Sequence, residues 1–138
     1  MVNDKRIIYL VDDDDDDRMI IRQAVHQLMD SVNIIEFSSG YDFLANLVGQ
    51  WPSDQTLVLM DINMPRMSGL EVIKAMQSDP ASKFVPVLAI STATDKTLID
   101  KVIASGAYGY FEKPVTYEQI GELATNIKDF YTRHYAAS

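Results

Sequence analysis

Four places in this chain set a chemically useful side chain in the same local context, at the end of a short apolar run. Asp12 and Asp13 follow Ile7-Ile8-Tyr9-Leu10-Val11. Asp61 follows Leu57-Val58-Leu59-Met60. Ser91 follows Val85-Pro86-Val87-Leu88-Ala89-Ile90, and Lys113 follows Tyr108-Gly109-Tyr110-Phe111-Glu112. Apolar runs of this length suit strands buried on both faces. In a sheet of parallel strands, the residues just past the strand ends meet along one edge, where open α/β sheets bind ligands. The pattern therefore gathers three carboxylates, a hydroxyl and an ammonium at one rim.

Such a rim needs positive charge. Two like charges about 4 Å apart cost roughly 4 kcal/mol at an effective dielectric near 20. Lys113 supplies one compensating charge, and a divalent cation would supply two. Oxygen donors without His or Cys favour a hard ion, Mg2+ ahead of Zn2+. In that setting Asp61 can attack phosphorus and form an aspartyl phosphate. The cation and Lys113 would neutralise charge on the equatorial oxygens, and Ser91 could hydrogen-bond one of them. Alone, Asp61 reads equally well as the cap of the next helix; its companions decide.

The elements that must position these residues alternate along the chain. Arg6–Val11 reads as a first strand, and Ile20, Ile21, Ala24, Val25, Leu28 and Met29 recur at helical spacing. Val32–Phe37 is a second strand. Phe43, Leu44, Leu47 and Val48 mark a short second helix closed by Gly49 and Pro52. Leu57–Met60 is the third strand. Leu70, Ile73, Ala75 and Met76 belong to a third helix that stops before Pro80. Val85–Ile90 is the fourth strand, with Pro86 tolerable near its start. Leu98, Ile99, Val102 and Ile103 make a fourth helix, with Gly106 as its left-handed C′ residue. Tyr108–Glu112 is the fifth strand. Thr116 and Gln119 have capping-box spacing ahead of a last helix lined by Ile120, Leu123, Ala124, Ile127, Phe130 and Tyr131. Five β-α repeats imply an α/β fold, parallel pairing and right-handed crossovers. One domain is expected over 1–138, its core about 5–131 and a frayed tail from Arg133 to Ser138.

The chain resembles a receiver domain of the two-component response regulators, of the single-domain chemotaxis type. The resemblance rests on Val11-Asp12-Asp13, on Met60-Asp61-x-Asn63-Met64-Pro65-x-Met67-x-Gly69, on Ile90-Ser91 and on Gly109-Tyr110-x-x-Lys113-Pro114, and spans about residues 5 to 131. It implies a flavodoxin-like (βα)5 three-layer fold with strand order 2-1-3-4-5. It implies Asp61 as phosphoacceptor, and Mg2+ bound directly by Asp13, Asp61 and the main-chain carbonyl of Asn63, with Asp12 acting through water. Lys113 would hold the phosphoryl group and Ser91 would be the switch hydroxyl. Tyr110 would be the switch aromatic, outward at rest and inward when phosphorylated. The Lys113–Pro114 bond would be cis. The implied donor is a sensor histidine kinase or a histidine phosphotransfer protein. The implied output is a downstream protein docking on the surface of the fourth helix, fifth strand and fifth helix. With no room for an output domain after the fifth helix, any output is expected to be a protein contact or a relay to another His. Departures from the family pattern are Thr92, where a small residue is favoured and whose bulk is expected to narrow access, and Ser68 before Gly69, expected to matter little.

Composition narrows the alternatives. With 138 residues, 47% hydrophobic, the chain is long enough for one real core. It has no cysteine, hence no disulfide and no thiolate metal site. A net charge of −8 argues against a nucleic-acid backbone binder. No apolar run approaches the roughly 20 residues of a membrane span, and the N-terminus shows no signal peptide, so a cytoplasmic protein is expected. Asp14–Asp17 read as one helix cap plus solvated charge. An EF-hand is a poor match, with Asp17 where Gly belongs and Gln23 where Glu belongs. His26 and His134 lack metal-ligand partners at helical spacing and read as ordinary surface or packing histidines. An aspartate-nucleophile phosphatase would want a second Asp two residues after the first, and Asn63 stands there. A degenerate receiver used only for docking would not need the intact set of Asp12, Asp13, Asp61, Ser91 and Lys113.

Overall fold

Five strands and five helices alternate in a computed structural model that describes residues 6–47 and 55–135: β1 (Ile7–Val11), α1 (Asp15–Leu28), β2 (Asn33–Phe37), α2 (Gly40–Leu47), β3 (Thr56–Asp61), α3 (Gly69–Gln77), β4 (Val87–Ser91), α4 (Lys96–Ala104), β5 (Gly109–Glu112) and α5 (Tyr117–His134). All strand pairs are parallel, in the order β2-β1-β3-β4-β5. That is the flavodoxin-like arrangement the resemblance implied. Among the described residues no helix is long and apolar enough to cross a membrane. The expected closure of the second helix by Gly49 and Pro52 lies outside the described residues.

Successive strand residues feed two separate cores, because side chains alternate across a sheet. Tyr9, Val11, Val58, Met60, Val87 and Ala89 pack with Phe43, Val72, Ile73, Met76 and Val102, the α2–α3–α4 side. Ile8, Leu10, Leu57, Leu59, Leu88 and Ile90 pack with Ile21, Val25, Leu123 and Ile127, the α1–α5 side. The central strand β3 is buried at every residue. This parity carries past the strand ends. Asp12 and Asp61 continue the set that faces α1 and α5, whereas Ser91 continues the set that faces α4.

The helix starts explain how the loops at the rim are held. Asp14 caps α1, accepting from the backbone N–H groups of Asp16 and Asp17 at 2.9 and 3.0 Å. Asp15, Asp16 and Asp17 fill the first turn, where the helix dipole favours acids. Ser68 with Glu71 and Thr116 with Gln119 form reciprocal capping boxes at α3 and α5. The box at Thr116 was legible in the sequence. Gly106 follows the end of α4 with φ of 121°, the left-handed C′ residue expected there.

Strand ends shift by one or two residues from expectation, and three boundaries have a structural consequence. The fourth strand begins at Val87, after Pro86, because a proline offers no N–H to the ladder; only its carbonyl takes part, accepting from Val58 N–H at 3.0 Å. The third strand runs one residue further and takes in Asp61. The presumed tail is not frayed at its start: α5 continues to His134, and the Tyr135 hydroxyl donates to the Thr56 carbonyl at 2.6 Å. Aromatic contacts of His134 with Phe130, Tyr108 and Tyr135 hold the same end.

Candidate functional site

The rim at the carboxyl ends of the strands is built around Lys113. Its ammonium lies 2.8 Å from Asp17 Oδ2, 3.0 Å from Asp12 Oδ2 and 3.4 Å from Asp61 Oδ2. Lys113 leaves β5 with its backbone N–H donating to the Ser91 carbonyl at 2.8 Å, so the end of β4 sets where it starts. Asp12 is 1% exposed and Asp61 2% exposed, while Asp13 is open to solvent. Carboxylate oxygens of Asp12, Asp13 and Asp61 all fall within 4.8 Å of one another. The sequence-predicted acids are thus brought together, Asp12 and Asp61 on the side their strand parity dictates and Asp13 from the loop beyond β1.

Hydrogen bonds hold these acids in place. Asp12 Oδ1 accepts from the Asp14 N–H at 2.9 Å. The Asp12 carbonyl accepts from Arg18 Nη1 at 2.6 Å, and Arg18 is in turn anchored to Glu36 at 3.0 Å. Asp61 Oδ1 accepts from the Asn63 N–H at 3.2 Å. Asp61 Oδ2 is buried 3.4 Å from the Lys113 ammonium and has no hydrogen-bond partner among the described residues.

Burial is the main electrostatic influence. It pushes the Asp61 carboxyl up from 3.8 to about 7, and the neighbouring Asp12 charge adds to the rise; Lys113 and the Asn63 N–H oppose it. Burial also raises the Asp12 carboxyl, against the Asp14 N–H and Lys113. For Lys113, burial disfavours the charged form, but its hydrogen bonds to Asp17 and Asp12 outweigh that and raise it above the ordinary lysine value. The lysine is therefore a permanent cation, and the cluster carries more carboxylates than it can neutralise.

Close backbone packing sets the acid end of β3. The Gly69 N–H donates to the Ile62 carbonyl at 3.0 Å. A Cβ built at Gly69 would sit 2.3 Å from the Asp61 carbonyl oxygen and 2.8 Å from the Ile62 Cα, both immovable backbone. Gly69→Ala is accordingly expected to lower stability by about 2 kcal/mol, read as a fall in the urea midpoint. An unchanged midpoint would show that the α3 start can move away without loss.

The second half of the rim faces α4. Ser91 is fully buried; its hydroxyl oxygen accepts from Ala93 N–H at 3.1 Å and from Asn63 Nδ2 at 3.3 Å. Asn63 Nδ2 also lies 3.3 Å from Oγ1 of the exposed Thr92. The Tyr110 hydroxyl donates to the Ala93 carbonyl at 2.7 Å, and its ring packs half-buried against the α2–α4 core. This corrects the expectation of an outward resting Tyr110, because core packing and the Ala93 acceptor hold the ring in while Asp61 is unmodified. The Lys113–Pro114 bond expected to be cis is trans, since no cis peptide occurs among the described residues. Trans is the ordinary X-Pro state, favoured by about 0.5–1 kcal/mol.

One residue of the cluster escaped the sequence reading. The spacing groups Asp17 with the solvated acids, yet it makes the shortest contact to Lys113. The signal was present: Asp17 precedes Ile21 by four residues, and Ile21 is buried against the sheet, so both share the inward face of α1.

A pattern described as the response regulator receiver domain matches residues 8–125. The chain belongs to the response regulator receiver family. Among similar proteins, chemotaxis protein CheY1 of Helicobacter pylori is 28% identical over 113 residues, covering 82% of this chain and 89% of that one. The phosphorylated cyanobacterial phytochrome response regulator RcpA superposes with a TM-score of 0.80 at 25% identity, covering 91% of this chain and 93% of the other. The Mn2+-bound form of response regulator Rcp1 has a TM-score of 0.79 at 21% identity, with 91% and 94% covered, a likeness of fold. As a receiver, the chain carries its acidic pocket at Asp12, Asp13 and Asp61.

Proposed function

We propose that this receiver accepts a phosphoryl group on Asp61 from the phosphohistidine of a sensor histidine kinase or of a histidine phosphotransfer protein, and that the modification switches a protein-docking surface formed by α4, β5 and α5. The observation that carries the proposal is the buried Asp61 oxygen without a hydrogen-bond partner, beside Asp12, Asp13 and Lys113. In the transfer, an Asp61 oxygen forms a bond to phosphorus as the bond from phosphorus to the donor nitrogen breaks. The imidazole leaves with that electron pair. Lys113 offsets the charge of the transferred group.

The donor set suits a hard divalent cation, because every candidate ligand is oxygen and one buried oxygen is unsatisfied. Mg2+ is the ion proposed, held by Asp13, Asp61 and the main-chain carbonyl of Asn63, with Asp12 acting through water. When bound, the ion would supply charge neutralisation for the phosphoryl oxygens. The Mn2+ of the Rcp1 structure is in keeping with a divalent ion in this fold.

The switch is read through three residues. Ser91 would turn from Ala93 and Asn63 toward a phosphoryl oxygen. The Ala93 N–H would lose its acceptor, and the Ala93 carbonyl that holds Tyr110 belongs to the same residue. A local charge would thus bias the shape of the β4–α4 loop and the α4 side. The reading places the protein in the cytoplasm, beside ATP-dependent kinases.

Incubating the chain with Mg2+ and an acyl phosphate, then weighing the intact protein, tests the proposal. A gain of one phosphoryl group, stable in acid and labile in base, is expected. No gain over hours at millimolar donor would sink the phosphoacceptor role of Asp61.

A further inference from the structure

An ammonium has three N–H donors. The Lys113 ammonium gives a hydrogen bond to Asp17 at 2.8 Å, is paired with Asp12 at 3.0 Å and lies 3.4 Å from Asp61, whose Oδ2 it does not hydrogen-bond. A phosphoryl oxygen carried by Asp61 must therefore share the ammonium with Asp17 and Asp12, which hold it closest. These carboxylates are not equally able to give way. The side chains of Asp12 and Asp61 are 2% and 1% exposed, and a carboxylate released there would have no water to replace the ammonium. Asp17 is 36% exposed and stands in the first turn of α1, where water and the helix N-terminus both accommodate its charge.

We propose that Asp17 is a displaceable counter-ion that competes with the phosphoryl group for Lys113. It parks the ammonium while Asp61 is unmodified and is exchanged for a phosphoryl oxygen afterwards. Asp17 is a positioning residue: it acts on the transferred group only through Lys113. Its presence weakens the hold of the site on a phosphoryl group, which keeps the phosphorylated state readily reversible. This inference rests on the function proposed above and adds a residue that regulates it.

The test compares Asp17→Asn with Asp16→Asn. Asp16 is its exposed neighbour in the same first turn and makes no ion pair with Lys113, so both variants remove one charge from the same helix turn. Beryllofluoride with Mg2+ serves as the phosphoryl mimic, titrated at ionic strength near 0.15 M, where the Debye length of about 8 Å screens distant charge. Asp17→Asn is expected to tighten mimic binding about fivefold over wild type, the size of one partly exposed ion pair, and Asp16→Asn by less than about twofold. Equal shifts in the two variants, or weaker binding in Asp17→Asn, overturn the competition. A wild type that takes neither phosphoryl group nor mimic overturns the phosphoacceptor reading and this inference together.

A second measurement needs no mimic. In the full chain labelled with 15N-lysine, the Lys113 side-chain ammonium resonance should move in Asp17→Asn and in Asp17→Ser but stay in place in Asp16→Asn. A purely helix-stabilising role for Asp17 would shift the unfolding midpoint and leave that resonance where it is, which would also overturn the proposal.

Discussion

Asp61→Asn is expected to abolish phosphoryl uptake and, in metal-free buffer at pH 8, to make the protein more stable. The two effects have one cause. Burial first, then the Asp12 charge, lifts the Asp61 carboxyl from 3.8 to about 7. A folded-state value above the unfolded one means that the proton binds the folded chain better. Its stabilisation is complete below about 4 and is lost as pH rises through 7. At pH 8 the wild type holds an ionised, incompletely neutralised carboxylate that the asparagine lacks. After allowance for the lost attraction to Lys113, the gain is about 2 kcal/mol. Denaturant titrations at pH 5 and pH 8 read it out: the wild type weakens across that interval more than the variant. Adding Mg2+ reverses the order, because an ion at a hundred times its Kd stabilises the wild type by about 2.7 kcal/mol and the variant has lost a ligand charge. If the two proteins show the same pH dependence, the strained state of Asp61 is refuted.

Lys113→Met should do the opposite. It removes the ammonium that faces Asp12, Asp17 and Asp61. Breaking a buried ionic group by deleting one partner costs about 3 kcal/mol or more, and the loss is greatest at pH 8, where Asp61 is ionised. The pH dependence belongs to those acids. The lysine itself lies above its ordinary value of 10.5, so its contribution is complete below that value and is lost only when pH rises past the folded-state value. Lowering the pH to 5 therefore restores much of the variant's stability by protonating Asp61, with Asp12 shifted in the same direction. Phosphoryl uptake from a small acyl phosphate should fall by about 10²-fold, the usual effect of removing one preorganised charge. Intact-mass time courses give the rate, and urea midpoints at the two pH values give the stability. Near-wild-type stability at pH 8 would mean that water, not Lys113, screens the cluster.

How much of this was legible beforehand depends on how local each feature is. Strand and helix positions follow from spacing along a few residues, and the capping box at Thr116 and the left-handed Gly106 follow from residue type at one place. The rim membership of Asp12, Asp13, Asp61, Ser91 and Lys113 follows from one further rule, that parallel strands end on a common edge. The start of β4 after Pro86 and the reach of α5 past Arg133 were less legible. The first turns on a missing N–H, and the second on a hydroxyl that reaches a strand 79 residues away.

The amino-acid order by itself determined the alternation of strands and helices and which charged groups share the edge. Only the tertiary structure decided how those groups divide their contacts. That Lys113 reaches back 96 residues to Asp17, that Asp61 keeps one oxygen unmatched, and that Tyr110 is tied inward to Ala93 all depend on how α1 and the β4–α4 loop settle against the sheet. Local periodicity is read within one element, whereas the sharing of three donors among several acceptors is an outcome of packing between elements, where a shift of an ångström changes the partner.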